Sequence, residues 1–354
     1  MKRTIVLVLT VLVLCSSLVF AGGTPEAKTE GEQETMEKAE PELKPANLTL
    51  STIATAEAAA AKAFKKFEFE IERLTDGRIS AEVYTGGQIF TQEGEIAAAR
   101  EGSLDIANYA PSWVAEFVPY LGQLGAVYTF SSYEHMRNVY SDPEIWGRIV
   151  DDVSEAVGVV PMTALYLGTR QLNLVEKVGP VRHPDDMKGV KLRTPNSPSW
   201  IALGKALGGN PTPMSFGEVY MGLKTGVIEG QDNPLNTDVV QKFYEPTKYI
   251  MLTDHVVDTI WPCMNKARWE SFSAEDQEKI LQAWEVARQY NDELVQQREA
   301  EARAFMEDNG IIFVEDVDKD AFIEYAKWSY QNESKNVSAK WDWDFYDLIQ
   351  SKRP

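Results

Sequence analysis

Apolar and polar residues change rhythm repeatedly along this chain, and each change marks an element. Leu48 and Leu50 alternate with polar neighbours, as a strand does. From Ala56 to Leu74 apolar residues return at Ala60, Ala63, Phe64, Phe67, Ile71 and Leu74, the spacing of one buried helix face, and Asp76-Gly77 ends that helix. Arg78 to Thr85 alternates again, with Ile79, Ala81 and Val83 on one side. Gln92 to Glu101 reads as helix, and Leu104 to Tyr109 as strand. The βαβαβ order predicts a parallel sheet covered by helices, with ligands bound beyond the carboxyl ends of its strands.

A second series of strands is predicted at Val157–Leu167, Gln171–Glu176, Val190–Arg193 and Val227–Asp232, separated by helical segments. In SFGEVYMGLKTG, Ser215 and Glu218 have the spacing of a capping box and Gly226 that of a helix stop. Asp258 to Asn265 reads as a strand returning to the first series. Ser273 to Asn309 is helical throughout, with Ser273 as cap, apolar positions at Ile280, Trp284, Ala287, Leu294 and Val295, and Asn309-Gly310 as the stop. Unbroken, it would span roughly 50 Å. Its apolar seam weakens after Val295, which disfavours a coiled coil and favours a strut that packs on two lobes or bends between them.

The N-terminus changes the picture of where this body works. MKRTIVLVLTVLVLCSSLVFAGG has basic residues at Lys2 and Arg3, an apolar run from Ile5 to Leu14, and a small-residue exit at Ala21, the pattern of an export signal. Cleavage after Ala21 is expected; lipid anchoring at Cys15 is the alternative, disfavoured by the bulky Leu14 before it. The following stretch, rich in glutamate and poor in residues that pack, reads as a tether. The chain therefore divides into a signal at 1–21, a disordered acidic tether at 22–46, lobe I at 47–170 and lobe II at 171–257. A return strand and spanning helix follow at 258–309, and a C-terminal segment packing on the lobes at 310–354. The fold class is α/β, two-lobed, with a central cleft and a long helix spanning both lobes.

Net charge is −19, and the part beyond signal and tether keeps −17. Such a body repels a phosphate backbone, so nucleic acid is not an expected partner. An anionic small molecule could be held only by a locally positive pocket. The three histidines, His135, His183 and His255, are isolated from other metal-type ligands, and no zinc-protease, nucleophile-elbow, Walker or CxxC motif occurs. Neither an enzyme nor a metal or cofactor is expected. With Cys15 lost with the signal, Cys263 is the only thiol and reads as a small buried side chain.

What remains is binding chemistry. In VKLRTPNSPSW, Arg193 ends a short strand, Pro195 stops the ladder, and Ser197-Pro198 reads as a helix cap with proline at the first helical position. Taken singly, Arg193 is an ordinary loop arginine. Arg170 also follows an apolar strand, and Asn233 follows the strand that begins at Val227, so three polar side chains converge on one rim. Trp113, Trp200, Phe216 and Trp261 are aromatic candidates for the walls of a cleft with few orienting polar groups.

Several ordered motifs now carry a resemblance: GGQ at Gly86–Gln88, GSLDI at Gly102–Ile106, GTRQ at Gly168–Gln171, and MKGVKLRTPNS at Met187–Ser197. PTPMSFGEVYMGLKTGVIEGQDNP at Pro211–Pro234 and KFYE at Lys242–Glu245 complete the set. From about Asn47 to Val314 the sequence resembles the periplasmic solute-binding proteins of TRAP transporters, the family with C4-dicarboxylate and sialic-acid binders. The resemblance implies a periplasmic-binding-protein fold that closes on an organic acid and delivers it to sodium-driven TRAP membrane subunits. It implies that Arg193 pairs with the ligand carboxylate, Arg170 is a second basic contact, Phe216 packs on the ligand and Asn233 hydrogen-bonds it. Asn196 is a weaker carry-over. Sialic-acid binders have Glu and Arg where this chain reads Tyr109-Ala110-Pro111-Ser112-Trp113, so an aromatic wall suggests a smaller or flatter acid. A sugar acid, keto acid, other monocarboxylate or C4-dicarboxylate would fit. A binding protein of an ATP-driven importer, or a ligand sensor, is the alternative.

Overall fold

Leu48 and Leu50 are fully buried, and the strand that carries them is the first of ten. The computed structural model describes residues 43–354; the expected signal at 1–21 and the tether up to residue 42 lie outside the described residues. The strands are β1 (Ala46–Ser51), β2 (Ile79–Tyr84), β3 (Ile106–Tyr109), β4 (Val159–Pro161) and β5 (Leu165–Leu174). They continue with β6 (Lys191–Thr194), β7 (Asn210–Pro213), β8 (Gly230–Pro234), β9 (Tyr249–Asn265) and β10 (Ile312–Val314). Hydrogen-bonded order is β2-β1-β3-β9-β5-β8-β6-β7, with β4 and β10 also on β9.

The parallel pairing expected of the first series is present: β1 lies parallel to both β2 and β3. Helices Ala59–Leu74 and Gln92–Glu101 connect them, the first burying Ala60, Ala63, Phe64, Phe67 and Ile71, the second capped by Thr91 and stopped by Gly102 at φ 80°. In the second series β6 lies parallel to β7 and β8. Ser197 caps helix Pro198–Ala206 by accepting the Trp200 N–H, as its sequence predicts.

β9 joins the two groups. Tyr249–Met251 pairs with β5 and β10, Val256–Ile260 with β5, Trp261–Met264 with β3, and Cys263–Asn265 with β4. This makes β9 far longer than the strand predicted at Asp258–Asn265, because its first part alternates poorly and is interrupted by a bulge holding Asp254 at φ 46°. β5 is one strand where the sequence suggests two. Gly168, at φ 119°, breaks the alternation and shifts the register against β9 between Tyr166 and Gly168, yet pairing continues to Leu174. β7 escaped prediction because Pro211 and Pro213 argue against a strand; it sits at the sheet edge, where missing N–H groups are tolerated. Ser215 makes no capping bond, and Phe216–Glu218 is a 3-10 turn leading into helix Val219–Thr225, which Gly226 ends at φ 76°.

The long helix runs Ala274–Asp308, 35 residues capped by Ser273. Trp284 stacks on Phe67 at 4.2 Å and meets Phe64 edge-on at 5.1 Å, fastening the helix to Ala59–Leu74. Met306, near the other end, packs with Ile250 and Ile311. Between these contacts the helix bonds β5 directly. Asn291 Nδ2 donates to Tyr166 O (2.7 Å), Tyr166 N–H donates to Asp292 Oδ1 (3.1 Å), and Thr169 N–H donates to Glu299 Oε1 (2.8 Å). The C-terminal helices Lys319–Asn332 and Trp343–Gln350 bury Phe322, Tyr330, Phe345 and Ile349 in the main core. No helix of the described residues is long and apolar enough to cross a membrane.

The bulge at Gly168 is a point of close approach. A Cβ there would lie 2.5 Å from Glu299 Oε1 and 2.6 Å from Pro234 Cβ, on a backbone conformation that L residues avoid. Gly168→Ala should therefore lower unfolding stability by about 2–4 kcal/mol, measured by urea titration, whereas Gly147→Ala, inside helix Pro143–Val157 with nothing near its Cβ position, should raise it by about 0.5–1 kcal/mol.

Candidate ligand-binding cleft

A cavity of about 130 Å³ lies where the two strand groups face each other. One wall comes from the ends of β1 and β3 and the residues after them, with Thr52, Ile53, Asn108, Ala110 and Trp113. The other comes from the ends of β6 and β8 and the turn after β7, with Arg193, Pro195, Asn233 and Phe216. Arg170, Asp258 and Ile260 from the shared strands, and Val295 from the long helix, close the back. The position follows from the topology, since strand carboxyl ends from both groups meet there.

The two arginines are held differently. Arg170 is committed: Nε donates to Asp258 Oδ2 (2.8 Å), Nη2 lies 2.7 Å from the same oxygen, and Nη1 donates to the Asp232 carbonyl (2.5 Å). Asp232 Oδ2 is 3.3 Å from Nη1, and the guanidinium lies over the Trp200 ring at 4.5 Å. Burial alone would pull Arg170 down, but Asp258 and Asp232 outweigh it and raise its pKa. Burial also pushes up both carboxyls. Arg170, His255 and Arg193 together still hold Asp232 below the usual range, whereas Asp258 ends above it. His255 Nε2 lies 3.2 Å from Asp232 Oδ2 and its Nδ1 lies 2.8 Å from Thr253 Oγ1.

Arg193 is only 2 % exposed, yet it makes no ion pair with any described residue. Nε and Nη2 both donate to the Met214 carbonyl, at 3.0 and 2.8 Å, and the Phe216 ring lies 5.7 Å away. That carbonyl occupies the side edge of the guanidinium and leaves its end edge, Nη1 with the outer N–H of Nη2, without a protein acceptor. Burial pushes its pKa down to about 10, with Asp232 partly opposing, so the group stays charged at neutral pH. A buried cation with a free planar edge suits an incoming carboxylate, which takes two parallel N–H bonds from such an edge.

Of the residues singled out in the sequence, Arg193, Arg170, Asn233, Phe216 and Trp113 line this cavity. Asn196 and Trp261 do not. Asn196 is exposed, one position beyond the lining residue Pro195. Trp261 is fully buried and packs edge-on to Tyr140 and Trp146 at 6.0 Å, because in β9 it is Ile260 that faces the cavity and successive side chains alternate. Trp200, also an aromatic candidate, does line the cavity, while Thr52, Asn108, Asp258 and Asn236 had gone unnoticed. The ends of β1 and β3 were the signal that could have found Thr52 and Asn108.

A model of bacterial extracellular solute-binding protein, family 7, matches residues 50–336. The chain belongs to that family. The match runs past Val314, where the resemblance read from the sequence ends. A solute-binding protein of Roseobacter denitrificans is 35% identical over 262 residues, 74% of this chain and 79% of its own. Among solved structures, a TRAP periplasmic solute-binding protein of Roseobacter denitrificans with bound 3-deoxy-D-manno-oct-2-ulosonic acid is similar at 32% identity and TM-score 0.81. That likeness covers 88% of this chain and 100% of the other. Another, from the same species with bound L-galactonate, is similar at 32% identity and TM-score 0.78, over 87% and 99% of the two chains. These TRAP solute-binding-protein structures bear out the two-lobed α/β architecture.

Behind the β1–β3 wall of this cavity, Ser51 donates its hydroxyl to Glu95 Oε1 at 2.7 Å. Burial pushes the Glu95 carboxyl up to about 8. The fold thus accommodates the neutral acid, and this contribution is complete below the ordinary value near 4.5 and is lost as pH rises through about 8. Asp238, Asp258 and Glu299 are raised in the same direction, chiefly by burial. Denaturant midpoints should therefore fall from about pH 5 to about pH 8, and Glu95→Gln should make that slope shallower without abolishing it.

Proposed function

We propose that this protein is an extracytoplasmic receptor that captures a sugar acid through a carboxylate bound on Arg193 and hands it to TRAP membrane subunits. The observation that carries the reading is the buried, unpaired end edge of Arg193 in a cavity walled by both strand groups. The bound acids of the Roseobacter structures are polyhydroxylated monocarboxylates, and their likeness to this chain favours that class over a dicarboxylate. The aromatic walls at Trp113, Trp200 and Phe216 suit the C–H faces of such a ligand.

In this reading Arg193 is the direct contact. Arg170, its charge already countered by Asp232 and Asp258, lines the cavity and shapes it rather than supplying the attracting charge, and Phe216, Asn233 and Trp113 line the remaining surface. A ligand touching both walls favours the closed arrangement by binding it better than the open one, which is the only way it can drive closure. The lobes would be 47–170 and 171–257, with 258–309 returning to lobe I and spanning both. Export by the signal at 1–21 would place the protein in the periplasm. Delivery to TRAP subunits, rather than an ATP-driven importer, is supported by the family membership and by the TRAP neighbours. Uptake that persists in cells without a sodium gradient would count against it.

Screening L-galactonate, 3-deoxy-D-manno-oct-2-ulosonic acid and C4-dicarboxylates by thermal shift tests the ligand class. An acid at ~100 times its dissociation constant should stabilise the protein by about 2.7 kcal/mol. Arg193→Ala should weaken the best acid by roughly two to four powers of ten in calorimetric titration, because the ligand charge would be buried unpaired. Stabilisation by neutral sugars but by no carboxylate would refute the reading.

A further inference from the structure

The lobe I wall carries a polar pair whose bonding is incomplete in a particular way. Thr52 is fully buried at the end of β1, and its Oγ1 accepts two donors, Asn108 Nδ2 at 2.7 Å and Ala54 N–H at 3.1 Å. Both lone pairs are thereby used, so the hydroxyl proton has to be donated elsewhere. One of the two Asn108 Nδ2 hydrogens goes to Thr52, and its Oδ1 is buried with no hydrogen-bond partner. Thr52, Ala54 and Asn108 all line the cavity. The wall therefore sets the Thr52 proton beside the unpartnered Asn108 Oδ1, at the ends of adjacent parallel strands.

We infer that Thr52 and Asn108 form the subsite that reads one ligand hydroxyl, making them specificity-determining residues for a hydroxylated acid. The inference rests on the sugar-acid reading above. A hydroxyl is the simple group that satisfies both partners at once: its proton goes to Asn108 Oδ1 and its oxygen accepts the Thr52 proton. A carboxylate or keto oxygen has no proton to give Asn108, and an ammonium group has no lone pair for Thr52. Leaving Asn108 Oδ1 unpaired against a deoxy ligand keeps its desolvation uncompensated, which is how a polar site rejects an analogue that lacks one group. The position of the pair adds a second consequence. Arg193 stands on the β6 wall and this pair on the β1–β3 wall, so an acid with both groups ties the walls together, while a bare carboxylate engages one.

The test uses the mature protein, L-galactonate and its monodeoxy analogues in calorimetric titrations, with Thr52→Val and Asn108→Leu beside Arg193→Ala and thermal melts as a folding control. Thr52→Val should weaken L-galactonate about 5- to 20-fold and Asn108→Leu about 10- to 100-fold. One monodeoxy analogue should bind wild type more weakly than the parent acid and lose nothing further on Thr52→Val. If both variants keep wild-type affinity for L-galactonate while Arg193→Ala abolishes it, the inference is overturned and the receptor reading stands. Equal losses on every analogue, or tighter binding of a keto acid at the read position, would also overturn it. If wild type binds no sugar acid at all, the receptor reading fails and takes this inference with it.

Discussion

Everything at the centre of this molecule is arranged around the Arg170 guanidinium, which sits between Asp232 and Asp258 and under the face of Trp200. Those four residues come from β5, β8, β9 and helix Pro198–Ala206, so one charged group fixes the relative places of four elements. Breaking such a buried pair by removing one partner is strongly destabilising, while the intact cluster leaves little net charge. Arg193 is consequently the only buried guanidinium on the cavity wall whose charge is left for something other than protein, among the described residues. In a body with a large negative charge, that single uncommitted cation defines where an anion can rest.

The mechanical frame follows from β5 and β9. Both run through the region where the two strand groups meet, and both are irregular there, at Gly168 and at the bulge before His255. The long helix grips β5 on either side of Gly168 through Asn291, Asp292 and Glu299, while its ends pack in different cores. The irregular positions are thus held by side chains, Tyr166 and Thr169 by the long helix and Asp254 N–H by Gln171 Oε1, and the cavity-lining residues lie beside them.

Much of this was legible in the sequence because it depends on local periodicity. Helix Gln92–Glu101, the cap at Ser197 and the span of the long helix each follow from residues within one element. The placement of Arg193 at the cavity was also legible, since Pro195 and Ser197-Pro198 force a strand end against a helix start. What escaped were facts set by distant partners. The state of Arg170 depends on Asp232 and Asp258, far away in sequence, and nothing near Arg170 announces them. Trp261 was misplaced because a one-residue shift along a strand exchanges cavity for core, and the exchange is invisible until β9 is paired with β3. The sequence suggests one strand ending at Leu167 and another starting at Gln171, whereas pairing on both sides of Gly168 carries β5 straight through.

Two of the nine tryptophans, Trp113 and Trp200, line the cavity, and one of them already faces a guanidinium. Indole emission responds to the electric field across the ring and to the water around it. An anion settling on Arg193 alters both at once, from within a protein whose Trp261 and Trp284 are fully buried in the core. The cleft therefore carries its own optical reporter, and occupancy can be followed in the unlabelled protein by the colour of its fluorescence.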